Sequence, residues 1–425
     1  MCKASQSLCS RGGISTFEDA LNRPYWSDNL HPDRAHRVSD FRRSYGQANA
    51  TTRALPGNPV PGTPHGKARV RICVVRVPSY TPLDEALETL TPYGIELRNG
   101  NSNHAPMVAE ALCALGRPEA VMPWIARYRE RMLPRPGVDA RIHRENWRFA
   151  LGERARFADW SAFFAEELQE APWRQVLDCW MDRLAPGFCA AATHGVIRVG
   201  HAVRGLADCE TPQRLHEFAD AFASWAATYR ELPTCGHTAN GMMRPSQAIA
   251  RVAVVPPDRR NYAGNITASF AMLDDLPEFA TSVGLIDTSG DLSPLVAELT
   301  EVFARVYLAN AHDIRATIAF IHGVTSIAAL GNIGPQVSEQ TARAAVRYAW
   351  QSGCALYACF GGDTAMLEDI EPREQDGDEL VDRAIEHGDE HVIKFTEACL
   401  HRYALGASSA YLAAVDHARD MIPRR

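Results

Sequence analysis

Lysine is nearly absent from this chain of 425 residues. Its 44 basic residues comprise 41 Arg and only three Lys, which are Lys3, Lys67 and Lys394. Arg stays protonated in proteins, whereas a buried Lys can lose its proton and present a neutral amine. Lys394 is therefore a candidate functional residue. The alternative is a residual lysine that forms an ion pair with Glu390 or Glu397, which would lie on the same helix face.

Several familiar signatures are missing as well, and each absence excludes a class of function. None of the 11 cysteines forms a CxxC pair, which argues against thiolate zinc sites and thioredoxin-like chemistry. The chain contains no GxGxxG fingerprint, no GxxxxGK[ST] loop, no HExxH and no GxSxG. Nucleotide-binding, zincin and α/β-hydrolase interpretations therefore lack their first requirement.

Charge and hydropathy limit the partners and the cellular location that we expect for the protein. The net charge of -7 gives no reason to expect a nucleic-acid partner. No run of about 18 uncharged apolar residues is present, so we expect no membrane span. The first residues also show no apolar leader segment. We therefore expect a cytoplasmic protein with reduced cysteines whose partner is a small molecule. Nothing in the sequence indicates an oligomeric state.

The composition divides the chain near residue 77. Residues 1–77 carry 12 Lys/Arg against 5 Asp/Glu and are rich in Pro and Gly, most densely over 55–64. Such a segment lacks the apolar periodicity of a packed domain. We expect residues 1–77 to form a flexible, loosely ordered arm, or to be an over-extended start of the reading frame. Residues 78–425 are expected to form the folded domain.

From about residue 80 onward, apolar residues recur at i, i+3, i+4 and i+7, which is the spacing of amphipathic helices. No βαβ alternation and no repeat of fixed period are present. The sequence therefore predicts an all-α fold, with one large helical domain and long loops. Helices are expected over 105–115, 118–132, 160–168, 186–206, 212–232, 295–308, 314–330, 339–350, 380–387, 392–403 and 408–421.

Four of the 15 histidines lie in apolar, helical surroundings. His104 precedes an apolar helix, and His194 follows small residues that would let another element approach its backbone. His322 sits in one of the most apolar stretches of the chain, and His391 lies three residues before Lys394. Taken singly, each is more easily explained as a buried core histidine. Four of them, together with the isolated lysine, indicate a shared site.

Helix geometry limits which of these side chains can share an ion. His391 and Lys394 lie on one face, about 4.5 Å apart along the axis, at the i, i+3 spacing of Glu-x-x-His in helical iron proteins. His194 and His201 would be about 10.5 Å apart, so at most one of them binds the ion. A protonated lysine cannot bind a metal. A neutral amine can instead add CO2 and become a carbamate, which is an anionic oxygen ligand.

Four short motifs surround these residues: Asn103-His104-Ala105-Pro106-Met107, His194-Gly195-Val196-Ile197-Arg198, His322-Gly323-Val324-Thr325 and His391-Val392-Ile393-Lys394. They resemble those of the questin oxidase-like family, in the same order over roughly residues 80–420. The resemblance implies an oxygenase that opens a ring of an anthraquinone or a related aromatic polyketide. It also implies a non-haem Fe(II), with O2 as co-substrate, held by His104, His194, His322, His391 and carboxylated Lys394. The chain departs from the family's pattern at His201, where an aromatic residue is expected.

Three further side chains are candidates for substrate contacts or proton transfer. Arg198, one turn after His194, would hold a phenolate or a carboxylate of the substrate. The alternative for Arg198 is a surface or ion-paired arginine. His201 and His237 would serve as acid/base residues or as substrate contacts.

We therefore expect a non-haem iron-dependent dioxygenase that cleaves a ring C–C bond of an anthraquinone-like aromatic polyketide in secondary metabolism. Iron suits this chemistry better than zinc, because zinc has no redox chemistry. A Baeyer–Villiger type oxidase of the same substrates, which would need NADPH, is one alternative, and the missing dinucleotide fingerprint argues against it. An alternative of another class is a non-catalytic helical binding protein whose histidines are core residues.

Overall fold

α-Helices make up nearly all of the regular structure in this computed structural model, which describes residues 76–235, 240–362, 376–406 and 408–425. Two short antiparallel strands, β1 (Tyr93–Leu97) and β2 (Met132–Pro134), pair with each other. The predicted all-α fold is confirmed. The α-helices are α1 (Leu83–Leu90), α2 (Ala105–Ala114), α3 (Pro118–Tyr128), α4 (Phe157–Glu170), α5 (Trp173–Leu184), α6 (His194–Asp208), α7 (Pro212–Ala227), α8 (Pro245–Ala248), α9 (Ile266–Ser269), α10 (Leu292–Asn310), α11 (Ile314–Ile333), α12 (Glu339–Phe360), α13 (Gly377–His387), α14 (Glu390–Gly406) and α15 (Ser409–Met421).

All described residues belong to one folded unit. Residues 1–75 of the expected N-terminal arm lie outside the described residues. The division of the chain into an arm and a domain at residue 77 therefore stays a prediction.

The predicted helices are present, with differences at their ends. The helix expected over 186–206 begins only at His194, because Ala191, Ala192 and Thr193 adopt positive φ, which a right-handed helix excludes. The helix expected over 339–350 continues to Phe360. Neither α1 nor α5 was predicted. The signal for α5 is nevertheless in the sequence, because its buried residues recur with helical spacing from Trp173 to Leu184.

Four helices at the centre of the fold carry the predicted ligands. They pack as a closed ring, in which α2 contacts α6, α6 contacts α11, α11 contacts α14 and α14 contacts α2. Helical bundles build metal and cofactor sites from side chains that face one another in this way. The ring therefore brings together segments that are far apart in the sequence.

Two glycines of α6 allow this close packing. A Cβ atom at Gly195 would lie 2.6 Å from Cγ of Trp225 in α7, and a Cβ atom at Gly200 would lie 2.6 Å from Cβ of Ala329 in α11. Both distances are shorter than any normal contact, so a larger residue would push α6 away from its neighbours. The small residues around His194 serve the close approach that the sequence predicts.

Among the described residues, one segment, Ile314–Gln336, is long and apolar enough to cross a membrane by length and composition. It contains α11, which packs against α6, α10, α12 and α14. Within its most apolar window, 78% of the residues are buried inside the fold. Burial of this extent is typical of a helix in the core of a folded domain.

No disulfide joins two of the eight cysteines in the described residues. Five of these eight are buried, where cysteine acts as a small apolar side chain. Burial raises the pKa of Cys113 and of Cys189 to about 12, so neither thiol is activated as a nucleophile.

Candidate metal centre

The four predicted histidines converge inside the ring of central helices. Nε2 of His194 lies 2.8 Å from Nε2 of His104 and 3.2 Å from Nε2 of His322. The ring centroid of His391 lies 4.7 Å from that of His104 and 5.5 Å from that of His322. All four side chains are buried. We call these four residues the histidine cluster.

His104 is held immediately before the first turn of α2. Its backbone N–H donates to the hydroxyl of Tyr128 in α3, at 3.0 Å. Asn103 accepts from the N–H of Ala105 at 3.0 Å and donates to the carbonyl of Gly94 in β1 at 2.9 Å. Asn103 therefore fixes the start of α2 against β1, and the contact of His104 with Tyr128 fixes it against α3.

His194 is the first residue of α6 and follows a strained turn. Ala191, Ala192 and Thr193 have φ values of 47°, 55° and 70°, a left-handed conformation that costs about 1–2 kcal/mol for each non-glycine residue. The turn places the carbonyl of Ala191 on Nδ1 of His194. The hydroxyl of Thr193 donates to the carbonyl of His322 at 3.3 Å. The strained turn therefore orients the imidazole of His194 and connects the start of α6 to His322 in α11.

Hydrogen-bond partners define the protonation of two imidazoles. Nδ1 of His194 faces the carbonyl of Ala191, and Nδ1 of His391 lies 3.1 Å from Oδ1 of Asp389. Both partners can only accept, so each Nδ1 carries the proton and each Nε2 keeps a lone pair. An acceptor behind the imidazole is the usual arrangement of metal-binding histidines.

Burial favours the neutral form of three imidazoles of the cluster. It is the largest cause that lowers the pKa of His104, His194 and His322 well below the ordinary 6.5, and the charges of Lys394 and of the other histidines lower the pKa further. The Ala191 carbonyl opposes this shift at His194. Neutral imidazoles are the form that binds metal ions.

The nitrogens of the cluster are not satisfied by hydrogen bonds among themselves. Nε2 of His194 is unprotonated but faces the Nε2 atoms of both His104 and His322, and a single N–H···N bond would satisfy only one of these contacts. In the described part of the chain, Nδ1 of His104 has no hydrogen-bond partner. Nitrogens that bind one cation at about 2.0–2.1 Å lie about 3 Å apart, close to the observed 2.8 and 3.2 Å. The donor set therefore fits a metal ion.

One carboxylate that the sequence did not identify as a ligand also reaches the cluster. The ligand atoms of His104, Glu390 and His391 lie within 4.8 Å of one another. Glu390 is already engaged, because it accepts from Arg131 at 3.1 and 3.2 Å and from Arg425 at 3.3 Å. We therefore treat Glu390 as a charged neighbour of the site. Its position next to His391 in the sequence was the signal that could have identified it.

Lys394 lies one turn after His391 in α14, and its amine is buried. None of the ion pairs formed by the described residues includes it, because Glu390 pairs with arginines and Glu397 pairs with Arg204. The polar contact of Nζ is the sulfur of Met107, at 3.9 Å. The ion-pair alternative for Lys394 is therefore not found in the structure.

The environment of Lys394 favours its neutral form. Burial lowers the pKa of Lys394 to about 8, although the charges of Glu390 and Asp389 raise it. A buried amine of this kind is a better nucleophile near neutral pH than an exposed lysine. Burial therefore increases the neutral fraction of Lys394, which is the form that can add CO2.

Arg198 is engaged by carboxylates. Its Nε and Nη2 atoms donate to the two carboxylate oxygens of Glu217 at 2.7 and 2.8 Å, and Asp220 lies 3.9 Å away. This matches the ion-paired alternative for Arg198. A role in holding the substrate stays a prediction.

His201 lies two turns after His194, and its Nδ1 lies 2.6 Å from Oε2 of Glu110. Glu110 also accepts from Arg204 and from the hydroxyl of Tyr80. Burial alone would raise the pKa of Glu110, but Arg204 and His201 lower it to about 2. The ionised carboxylate accepts from Nδ1 of His201, so in the neutral tautomer Nε2 is the nitrogen without a proton.

A narrow cavity reaches from the protein surface to Lys394. It measures about 380 Å³ including its open mouth, and its lining includes His201, Arg204, Thr325, Lys394, Glu397 and His401. His201 also lines a second cavity of about 260 Å³ beside Glu110 and Arg214. His201 therefore lines both cavities. His237, the third predicted residue of this group, lies outside the described residues.

Most of the chain matches a known protein family. Residues 101–399 match the family model described as Questin oxidase-like. This match covers well over half of the chain and includes all five predicted ligands. None of the curated proteins compared with the chain matches it. The chain therefore belongs to the questin oxidase-like family.

Proposed function

We propose that this protein is a non-haem iron-dependent dioxygenase that cleaves a ring C–C bond of an anthraquinone-like aromatic polyketide. Family membership suggests an oxidoreductase of anthraquinone-type polyketide metabolism. Our proposal adds two points to what family membership suggests, namely that the protein depends on Fe(II) and that it catalyses a dioxygenase reaction. The proposed ligands are His104, His194, His322, His391 and carboxylated Lys394.

The position of Nε2 of His194 carries the metal-binding part of this proposal. That atom is deprotonated and lies at ligand-to-ligand distance from Nε2 of both His104 and His322. Nε2 of His194 has one lone pair and cannot accept a hydrogen bond from both neighbours, whereas a cation can bind all three nitrogens. Iron is preferred to zinc because the family chemistry is oxidative and zinc has no redox chemistry.

Carboxylation would convert Lys394 from a buried amine into an anionic ligand. The neutral amine nitrogen forms a bond to the carbon of CO2 and releases one proton, which gives a carbamate. Carboxylate-like oxygen with imidazole is the donor combination of many non-haem iron sites. The cavity that ends at Lys394 would admit CO2 to the amine.

The chain's own residues would orient the substrate and move its protons. Iron(II), when bound, would supply the redox chemistry between the substrate and O2. His201, with Nδ1 held by Glu110, offers Nε2 to accept a proton from a substrate hydroxyl. Arg198 would stabilise a phenolate if Glu217 released it, and His237 would act as a further acid/base residue.

Oxygen isotope incorporation tests the proposal most sharply. Protein reconstituted anaerobically with Fe(II) should bind about one iron per chain. It should consume O2 with hydroxylated anthraquinones or their hydroquinones as probes. With ¹⁸O₂, a ring-opened product should carry two labelled oxygen atoms, without added NADPH. Protein loaded with Zn²⁺ is the matched control and should be inactive.

Two other results would contradict this function. A strict requirement for NADPH with incorporation of one labelled oxygen atom would favour the Baeyer–Villiger alternative. Protein that binds no metal, consumes no O2 and binds an aromatic polyketide unchanged would be a binding protein.

A further inference from the structure

Asp389 is the residue that holds the imidazole of His391. Its Oδ1 atom accepts from the backbone N–H of His391 at 2.8 Å and lies 3.1 Å from Nδ1 of the same residue. Asp389 is completely buried. One carboxylate oxygen therefore fixes both the backbone and the ring of a proposed metal ligand.

The other oxygen of Asp389 faces Arg425. Nε of Arg425 lies 2.8 Å from Oδ2 of Asp389, and Nη1 lies 3.3 Å from Oε1 of Glu390. Oδ2 makes no hydrogen bond of good geometry with the described residues, so Arg425 acts on it through charge. A single guanidinium therefore lies against two buried carboxylates, those of the two residues that precede His391.

Residues 422–425, which follow α15, are docked on the connection between α13 and α14. His387 donates from Nε2 to the carbonyl of Ile422 at 2.8 Å, and the N–H of Arg425 donates to the carbonyl of His387 at 3.1 Å. Gly388 has φ +82°, and a Cβ atom there would lie 2.8 Å from the carbonyl oxygen of Arg425. Trp124 donates to the carbonyl of Gly388 at 2.9 Å. The contact with Arg425 therefore requires glycine at position 388.

We propose that Arg425 is a positioning residue of the metal centre, which acts on His391 through Asp389. This inference rests on the proposed function, because it takes His391 to be a ligand. Residues 422–425 form a clamp that keeps Oδ1 of Asp389 on Nδ1 of His391 and so keeps Nε2 of His391 directed at the cluster. Without the guanidinium, Oδ2 of Asp389 is a buried charge with no counter-ion, and the carboxylate is free to turn away.

The expected effect is a graded loss of metal affinity. Loss of the acceptor behind a metal-binding histidine lowers affinity by about 10–100-fold, so Asp389→Asn is expected in that range. Arg425 acts one step further away, and Arg425→Ala is expected to weaken binding by roughly three- to tenfold. Gly388→Ala should reproduce that loss with all charges kept, because it displaces the clamp.

The experiment measures Co²⁺ and Fe²⁺ affinity of the full chain by competition with a chelator, together with the Co²⁺ absorption spectrum. Arg424→Ala is the matched control, because it removes the same charge at a largely exposed position. Among the described residues, Arg424 forms an ion pair only with the exposed Glu386. Arg425→Lys should partly restore both the affinity and the spectrum. Thermal unfolding of each metal-free variant shows that it is folded.

The proposal is overturned if Arg425→Ala binds metal as tightly as Arg424→Ala while Asp389→Asn binds weakly. If Asp389→Asn and His391→Ala also leave affinity unchanged, His391 is not a ligand and the proposed metal centre itself fails. The two failures are therefore distinguishable.

Discussion

Nε2 of His104 and Nε2 of His194 lie 2.8 Å apart, although 90 positions separate these residues in the sequence. Each histidine stands at the start of a different central helix, and each is held there by its own local structure. His104 depends on Asn103 and Tyr128, whereas His194 depends on a turn of three left-handed residues. Two independent local structures position the two imidazoles in the same contact. This indicates that the short distance between their Nε2 atoms is important for the site.

Removal of one cluster histidine should weaken metal binding far more than removal of a surface histidine. His322→Ala removes one nitrogen donor, and we expect Fe²⁺ affinity to fall by more than about 100-fold. The exposed His143 provides the control, and His143→Ala should bind as the unchanged protein does. Chelator competition on both variants checks this. Equal affinities would show that His322 is a core residue.

Lys394→Arg should abolish tight iron binding, because Arg forms no carbamate. With ¹³CO₂, the unchanged protein should show a carbamate signal by ¹³C NMR that both Lys394→Arg and Lys394→Met lack. Lys394→Met keeps the length and the burial of the side chain without its amine. Lys394→Ala should recover part of its metal binding when a short carboxylate or bicarbonate is added. Full iron content and activity in Lys394→Arg would reduce the lysine to a packing role.

Acid should destabilise the metal-free protein before its carboxylates titrate. His104, His194 and His322 have lowered pKa values in the folded state, whereas the unfolded chain binds their protons below a pH of about 6.5. The unfolded state then binds more protons, so the free energy of unfolding falls as the pH falls.

Each of these histidines contributes up to about 1.4 kcal/mol per pH unit. Urea unfolding between pH about 7.5 and 5 measures the slope. The double variant His104→Asn/His322→Asn should show a smaller slope. An equal slope in both proteins would mean that these imidazoles are already protonated or exposed in the folded state.

Single and double variants can distinguish the contribution of the Arg198–Glu217 ion pair to stability from a contribution of Arg198 to activity. Arg198→Met should lower the free energy of unfolding by about 3–5 kcal/mol, because Glu217 is left buried without its partner. The double variant Arg198→Met/Glu217→Leu should recover much of that loss. If the double variant is folded, binds iron and has lost activity, Arg198 contacts the substrate. If it keeps full activity, Arg198 only holds the helices together.

The sequence was sufficient to predict the helical fold and to select the cluster. Apolar periodicity identified most helices, and the polar character of histidine made His194 and His322 conspicuous in apolar segments. The spacing of His194 and His201 on one helix also predicted that both would not bind the same ion. In the structure, Nδ1 of His201 contacts Glu110.

The contacts that support the cluster could not be predicted in the same way. The left-handed turn at Ala191 and Ala192 has no glycine or asparagine to announce it, and it is held by tertiary packing. The contact between Asp389 and Arg425 joins residues 36 positions apart through a docked segment without periodicity. Such contacts depend on the folded arrangement of α13, α14 and the residues after α15.

Anomalous X-ray scattering at the iron edge, from crystals of protein reconstituted anaerobically with Fe(II), tests the central claim most directly. The account predicts one strong peak among the Nε2 atoms of His104, His194, His322 and His391, with density for a carboxylated Lys394 beside it. Crystals that show no peak in the cluster, or a peak elsewhere with the four imidazoles bonded to one another, would contradict it.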